Sequence, residues 1–126
     1  MLTSYFANIK NLKYPIAICR GVPKWYNGPV FQDLAPSWAT LNAYKNSTNK
    51  AEAEQQYIKE FLQDLDKLNA IDIVAQLSKV YNVNIDEVCL ICYEKPSDFC
   101  HRHLVANWLK NNGYKCEEIR PGIKQS

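Results

Sequence analysis

The chain has 126 residues, of which 47% are hydrophobic and 22% charged. That is the size of one globular domain, and it can bury a core without staples. A formal net charge of +2 is too near balance to argue for nucleic acid by charge alone, and no apolar run approaches the roughly 20 residues of a membrane helix.

Met1 to Lys10 lacks the apolar stretch of a signal peptide. The five cysteines are an odd count, so reduced thiols in the cytoplasm are the expected state. Leu2 to Ala7 is short, apolar and aromatic, which suits a first strand. Tyr14 to Cys19 suits a second, with Pro15 at its start, where a missing N–H is tolerated. Arg20-Gly21-Val22-Pro23 ends it. Lys24 to Thr48 reads as a long irregular segment holding Trp25, Tyr26, Phe31 and Trp38, aromatics that either line a pocket or cover a sheet edge.

Asn49 to Leu68 carries the clearest helical stripe, Tyr57, Phe61, Leu65 and Leu68. Ala70 to Tyr81 forms a second helix with Ala70, Val74, Leu77 and Tyr81 on one face. Glu87 to Tyr93 is a third strand whose unbroken apolar run predicts burial on both faces, as in a parallel sheet. Pro96-Ser97-Asp98 starts the last helix, with Ser97 or Asp98 as N-cap, and Gly113 stops it. Tyr114 to Ile119 suits a final strand, and Arg120 to Ser126 a tail. The order predicts a single small α/β domain over 1–126, in two or three layers, with a mainly parallel sheet. Its site is expected at the carboxyl ends of the strands.

Chemistry-bearing residues gather where the third strand passes into the last helix: Cys92, Glu94, Cys100, His101, Arg102 and His103. Alternation puts Cys92 and Glu94 on one face of the strand and Cys89 on the other. Cys89-x-x-Cys92 has the spacing of a zinc chelate, which Cys100, His101 and His103 could complete. A chelating pair normally sits on a turn, however, and this one lies inside an apolar strand, so neither metal nor cofactor is expected. Cys89 reads as a small buried hydrophobe.

At about 100° per residue, His101 projects near the centre of the buried helical face, while His103 lies nearly opposite. The plain alternative for His101 is a core histidine bonded to a backbone carbonyl. The helix N-terminus favours a thiolate at Cys100, an uncharged imidazole and a bound anion. Arg102, with Arg20 from the neighbouring strand end, would grip that anion, unless Arg102 only pairs with Glu94 or Asp98 at the surface.

The run Cys92-Tyr93-Glu94-Lys95, then Phe99-Cys100-His101-Arg102-His103-Leu104-Val105-Ala106, then Trp108-Leu109, resembles the signature of the family called domain of unknown function 488. So do the Pro15 strand leading to Arg20, the stretch Pro23-Lys24-Trp25-Tyr26 and the Tyr57 helix. The resemblance implies an α/β fold and a site at those residues. The family has no established reaction, so it locates a site without naming its chemistry.

Two functions of different class follow. One is an enzyme acting on a small anionic, nucleotide- or nucleoside-like compound. Cys92, Glu94, Cys100 and His101 would be its catalytic groups, and Arg20, Lys24, Trp25, Tyr26 and Arg102 its substrate-binding set. A phosphatase or rhodanese loop needs an arginine six positions after the cysteine, where this chain has Asp98. The other is a module that binds a nucleotide, or less favourably a nucleic-acid end, without turning it over, stacking a base on Trp25, Tyr26 or Trp38.

Overall fold

A computed structural model of the chain describes residues 1–95 and 97–125. Pro96, expected at the start of the last helix, and Ser126, expected in the tail, lie outside the described residues. Four parallel strands form the sheet in the order β2-β3-β1-β4. They are β1 (Leu2–Tyr5), β2 (Pro15–Ala17), β3 (Cys89–Cys92) and β4 (Glu117–Glu118). Around them run the α-helices α1 (Trp38–Asn46), α2 (Lys50–Asp66), α3 (Ala70–Tyr81) and α4 (His101–Asn111). No helix of the described residues is long and apolar enough to cross a membrane.

The β3 strand lies inside the sheet between β1 and β2, and all four of its residues are buried. This explains its unbroken apolar sequence, because both faces need covering. One face carries Ile16, Ile18, Val88 and Leu90 against Tyr57, Phe61 and Leu65 of α2, Leu77 of α3 and Val105 and Leu109 of α4. The opposite face carries Ala17, Cys19, Cys89 and Ile91 under a thinner cover that includes Phe6, Tyr26, Leu12 and Val22. The helical layer is therefore one-sided, and irregular chain closes the other side.

Local chemistry explains most helix ends. Asn49 caps α2 by accepting from the Glu52 amide at 3.2 Å, and Asn69 caps α3 through Asp72 at 3.1 Å. The α3 helix stops at Asn82, whose φ of 55° is left-handed, a conformation asparagine tolerates.

Several expected bounds need correcting: the third strand is Cys89–Cys92 rather than Glu87 to Tyr93, and the last is Glu117–Glu118 rather than Tyr114 to Ile119. The first strand ends at Tyr5 and turns into a 3-10 segment, Phe6–Asn11, because Phe6 folds in among Trp25, Tyr26 and Tyr93. The second is shorter than Tyr14 to Cys19, although the Ile18 amide still donates to the Ile91 carbonyl at 3.0 Å. The segment from Lys24 to Thr48 contains α1, capped by Ser37, whose Oγ accepts from the Thr40 amide at 3.1 Å.

Last, α4 begins after Cys100, not at Ser97 or Asp98. Phe99 packs on the Tyr44 and Tyr57 rings at 5.6 and 5.0 Å. Cys100 is extended (φ −152°, ψ 140°) and reaches Cys92. These tertiary contacts override the capping propensity of Ser97 and Asp98.

Candidate functional site

Beyond the carboxyl ends of β2 and β3 lies a cavity of about 440 Å³. Its floor comes from Cys19 and Arg20 after β2, Cys92, Tyr93 and Glu94 at the end of β3, and Cys100 and His101 at the start of α4. Its wall is Trp38, Leu41, Tyr44 and Lys45 of α1, Tyr57 of α2 and Phe99. The volume falls in the roughly 300–1,000 Å³ range of small-molecule sites.

His101 is buried, with only 6% of its surface exposed. Its Nε2 lies against the Ile18 carbonyl, which can only accept, so Nε2 carries the proton and donates. That fixes the tautomer and leaves Nδ1 with a lone pair, 3.9 Å from the Cys100 sulfur. Burial lowers the His101 pKa to about 4, with Arg102 and His103 adding in the same direction against the carbonyl bond, so the ring is neutral near pH 7. Carbonyl bonding and cavity lining, weighed in the sequence as alternatives, coexist in this one side chain.

The sulfurs of Cys92 and Cys100 meet in a disulfide, whereas reduced thiols were expected. Cys19, Cys89 and Cys116 are free and buried. Burial, then the Glu94 charge, pushes the Cys19 thiol up to about 11. Burial likewise raises Cys89, in keeping with its place inside β3. Glu94 is itself exposed, and its charge joins burial in raising Tyr57.

Arg102 is fully buried behind the cavity and does not line it. Its Nε and Nη2 hold both carboxylate oxygens of Glu118, at 3.0 and 2.9 Å. Its Nη1 donates to the Glu94 carbonyl at 2.8 Å and to the sulfurs of Cys92 at 3.0 Å and Cys100 at 3.6 Å. Neither Glu94 nor Asp98 supplies its carboxylate partner; Glu118 does.

Arg20 faces the cavity, its Nε held by the Pro36 carbonyl at 2.8 Å. Among the described residues it makes no ion pair. Lys24, Trp25 and Tyr26 do not line the cavity. Trp25 stands edge-on to Phe6 at 6.0 Å, and the buried Tyr26 donates its hydroxyl to the Pro29 carbonyl at 2.6 Å. The structure thus brings Cys92, Glu94, Cys100, His101 and Arg20 to one hollow, with Arg102 directly behind.

Sequence reasoning missed Cys19, Leu41, Tyr44, Lys45 and Glu118, and named Tyr57 and Phe99 only in a helical stripe and in the family resemblance. Tyr44 and Lys45 could be placed only by recognising α1, for which Pro36-Ser37 was the available signal.

Residues 13–113 match the family model DUF488-N3a, described as the active DUF488-N3 subclade. The chain belongs to this family. No curated protein and no solved structure matches it. The match spans β2 to the end of α4, and so takes in every residue lining the cavity. Membership in DUF488-N3a agrees with the small α/β domain and its parallel sheet.

Proposed function

We propose that this chain is an enzyme acting on a small anionic, nucleotide- or nucleoside-like compound bound in the cavity. The observation that carries the reading is the cavity's polarity. Aromatic side chains (Trp38, Tyr44, Tyr57 and Phe99) line one part, the cations Arg20 and Lys45 stand at its edge, and Glu94, Cys92, Cys100 and His101 line the sheet end. A planar base or similar ring would stack on the aromatics. A phosphate would pair with Arg20, whose guanidinium has no carboxylate partner among the described residues.

Glu94 is the exposed carboxylate of the set and acts as general base. It takes a proton from an attacking water. The resulting hydroxide forms a bond to phosphorus or to a glycosidic carbon, and the leaving oxygen or nitrogen departs with the bonding pair and takes the proton that Glu94 accepted. Arg102 does not contact substrate in this reading. It holds the Glu94 carbonyl and the Cys92 sulfur in position.

The test measures binding and turnover of nucleosides and of nucleoside mono- and diphosphates by wild type, Arg20→Gln and Glu94→Gln. Loss of one charge-assisted contact should weaken anion binding about 10- to 100-fold in Arg20→Gln. Glu94→Gln should bind normally but lose turnover. Binding without turnover by wild type would select the non-catalytic module instead, and the absence of both would refute the reading.

A further inference from the structure

We propose that, in the reduced chain, Cys92, Cys100 and His101 are the three protein ligands of a zinc ion whose fourth position opens into the cavity. The proposal deepens the enzymatic reading above by naming the electrophile of the same site, and rests on it only for the identity of the substrate.

Geometry is the first support. The two sulfurs and a ring nitrogen of His101 all lie within 4.8 Å of one another. Ligands around tetrahedral zinc, with Zn–S of about 2.3 Å and Zn–N of about 2.0 Å, stand roughly 3.5–3.8 Å apart. The Cys100 sulfur is 3.9 Å from His101 Nδ1, long for a hydrogen bond but close to that spacing. Reduction of the Cys92–Cys100 disulfide frees the two sulfurs to separate to that spacing, with an ion between them.

Orientation is the second. A ligating histidine normally donates its other N–H to a carbonyl or carboxylate, which fixes the ring and aims the lone pair. Here the Ile18 carbonyl takes the Nε2 proton, and Nδ1 is the nitrogen that faces sulfur. Arg102 supplies N–H donors to both sulfurs, the outer contact that two thiolates require.

Charge is the third. Arg102 is already neutralised by Glu118. Zinc would displace the protons of the two thiols, and the divalent cation would cancel the two negative charges that result. Two sulfurs and an imidazole form a soft-to-borderline donor set that selects zinc over magnesium or calcium. All three ligands line the cavity, so the open position faces substrate, as in catalytic rather than structural zinc sites. Zinc lowers the pKa of its bound water to about 7, and Glu94 would accept that water's proton.

Reaching this state from the disulfide takes two electrons and two protons from a thiol reductant, which is itself oxidised to a disulfide. Zinc binding then releases two thiol protons.

The experiment uses the full chain, stripped of metal, reduced with a phosphine under argon and titrated with Co²⁺. The expected result is one equivalent bound, with thiolate-to-cobalt charge-transfer absorption and tetrahedral d–d bands, both bleached by one equivalent of Zn²⁺. Cys92→Ser, Cys100→Ser and His101→Ala should each lose this uptake, with near-ultraviolet circular dichroism showing that they remain folded. Cys116→Ala should retain it. Bound zinc should also shield Cys92 and Cys100 from alkylation in wild type, which tests the site even where a variant fails to fold. If reduced wild type, with all five thiols titratable, binds no cobalt, the proposal fails. It fails equally if Cys92→Ser binds as well as wild type. Nucleotide binding without metal uptake would sink the zinc site alone, and metal uptake without nucleotide binding would sink the substrate assignment alone.

Discussion

Arg102 is a buried guanidinium with a partner for each of its three nitrogens: Glu118 for Nε and Nη2, and the Glu94 carbonyl with the two sulfurs for Nη1. Burying a charge is costly and is offset only by well-placed partners, so removing one partner strands it. Glu118→Ala should therefore destabilise the fold by about 3–5 kcal/mol, read by urea denaturation. A loss below about 1 kcal/mol would mean that Arg102 does not depend on this carboxylate. Arg102→Lys should recover only part of the stability, because one ammonium cannot grip both Glu118 oxygens and also reach sulfur and carbonyl. The clustering of Cys92, Glu94, Cys100 and His101 was legible because one strand-loop-helix passage carries them all. Glu118 was not, since nothing local to a residue on β4 says which distant cation it will meet.

The α1 helix supplies Trp38, Leu41, Tyr44 and Lys45 to the cavity, and its first turn depends on Ser37. Losing an N-cap side chain costs about 1 kcal/mol. Ser37→Ala should lower stability by that amount in urea denaturation, and it should weaken ligand binding more than a cap loss elsewhere. Asn69→Ala, which uncaps α3 away from the cavity, is the comparison. Equal binding by the two variants would detach α1 from the site. Of the helices, α2 and α3 were readable from sequence because each buries a regular stripe, Tyr57-Phe61-Leu65 and Ala70-Ile73-Val74-Leu77. The α1 helix buries only Thr40 completely, so it has no such stripe and read as loop. The start of α4 was misplaced for the opposite reason: Ser97 and Asp98 are good caps by local chemistry, but the Phe99 and Cys100 contacts hold the chain extended past them.

At the scale of the whole molecule, folding buries several weak acids. Burial raises the thiols of Cys19, Cys89 and Cys116 and the hydroxyls of Tyr26 and Tyr57, Cys19 to about 11 and Tyr26 to about 12. In the unfolded chain these groups return to their ordinary values, 9.0 for cysteine and 10.0 for tyrosine. Above those values the unfolded state has lost protons that the folded state keeps, so stability must fall as pH rises. The stabilising contribution is complete below about pH 9 and is lost progressively as pH climbs through the folded values of about 11 for Cys19 and about 12 for Tyr26. Urea denaturation of the protein with its free thiols kept reduced should therefore give a lower unfolding free energy at alkaline pH than at neutral pH. Tyr26→Phe should be weaker at neutral pH through loss of its bond to the Pro29 carbonyl. The same variant should lose less than wild type above pH 10, because one of the titrating groups is gone. Parallel pH profiles for wild type and Tyr26→Phe would show that the buried hydroxyl contributes nothing to the alkaline limit. A flat wild-type profile would remove the premise that burial of these acids is coupled to folding.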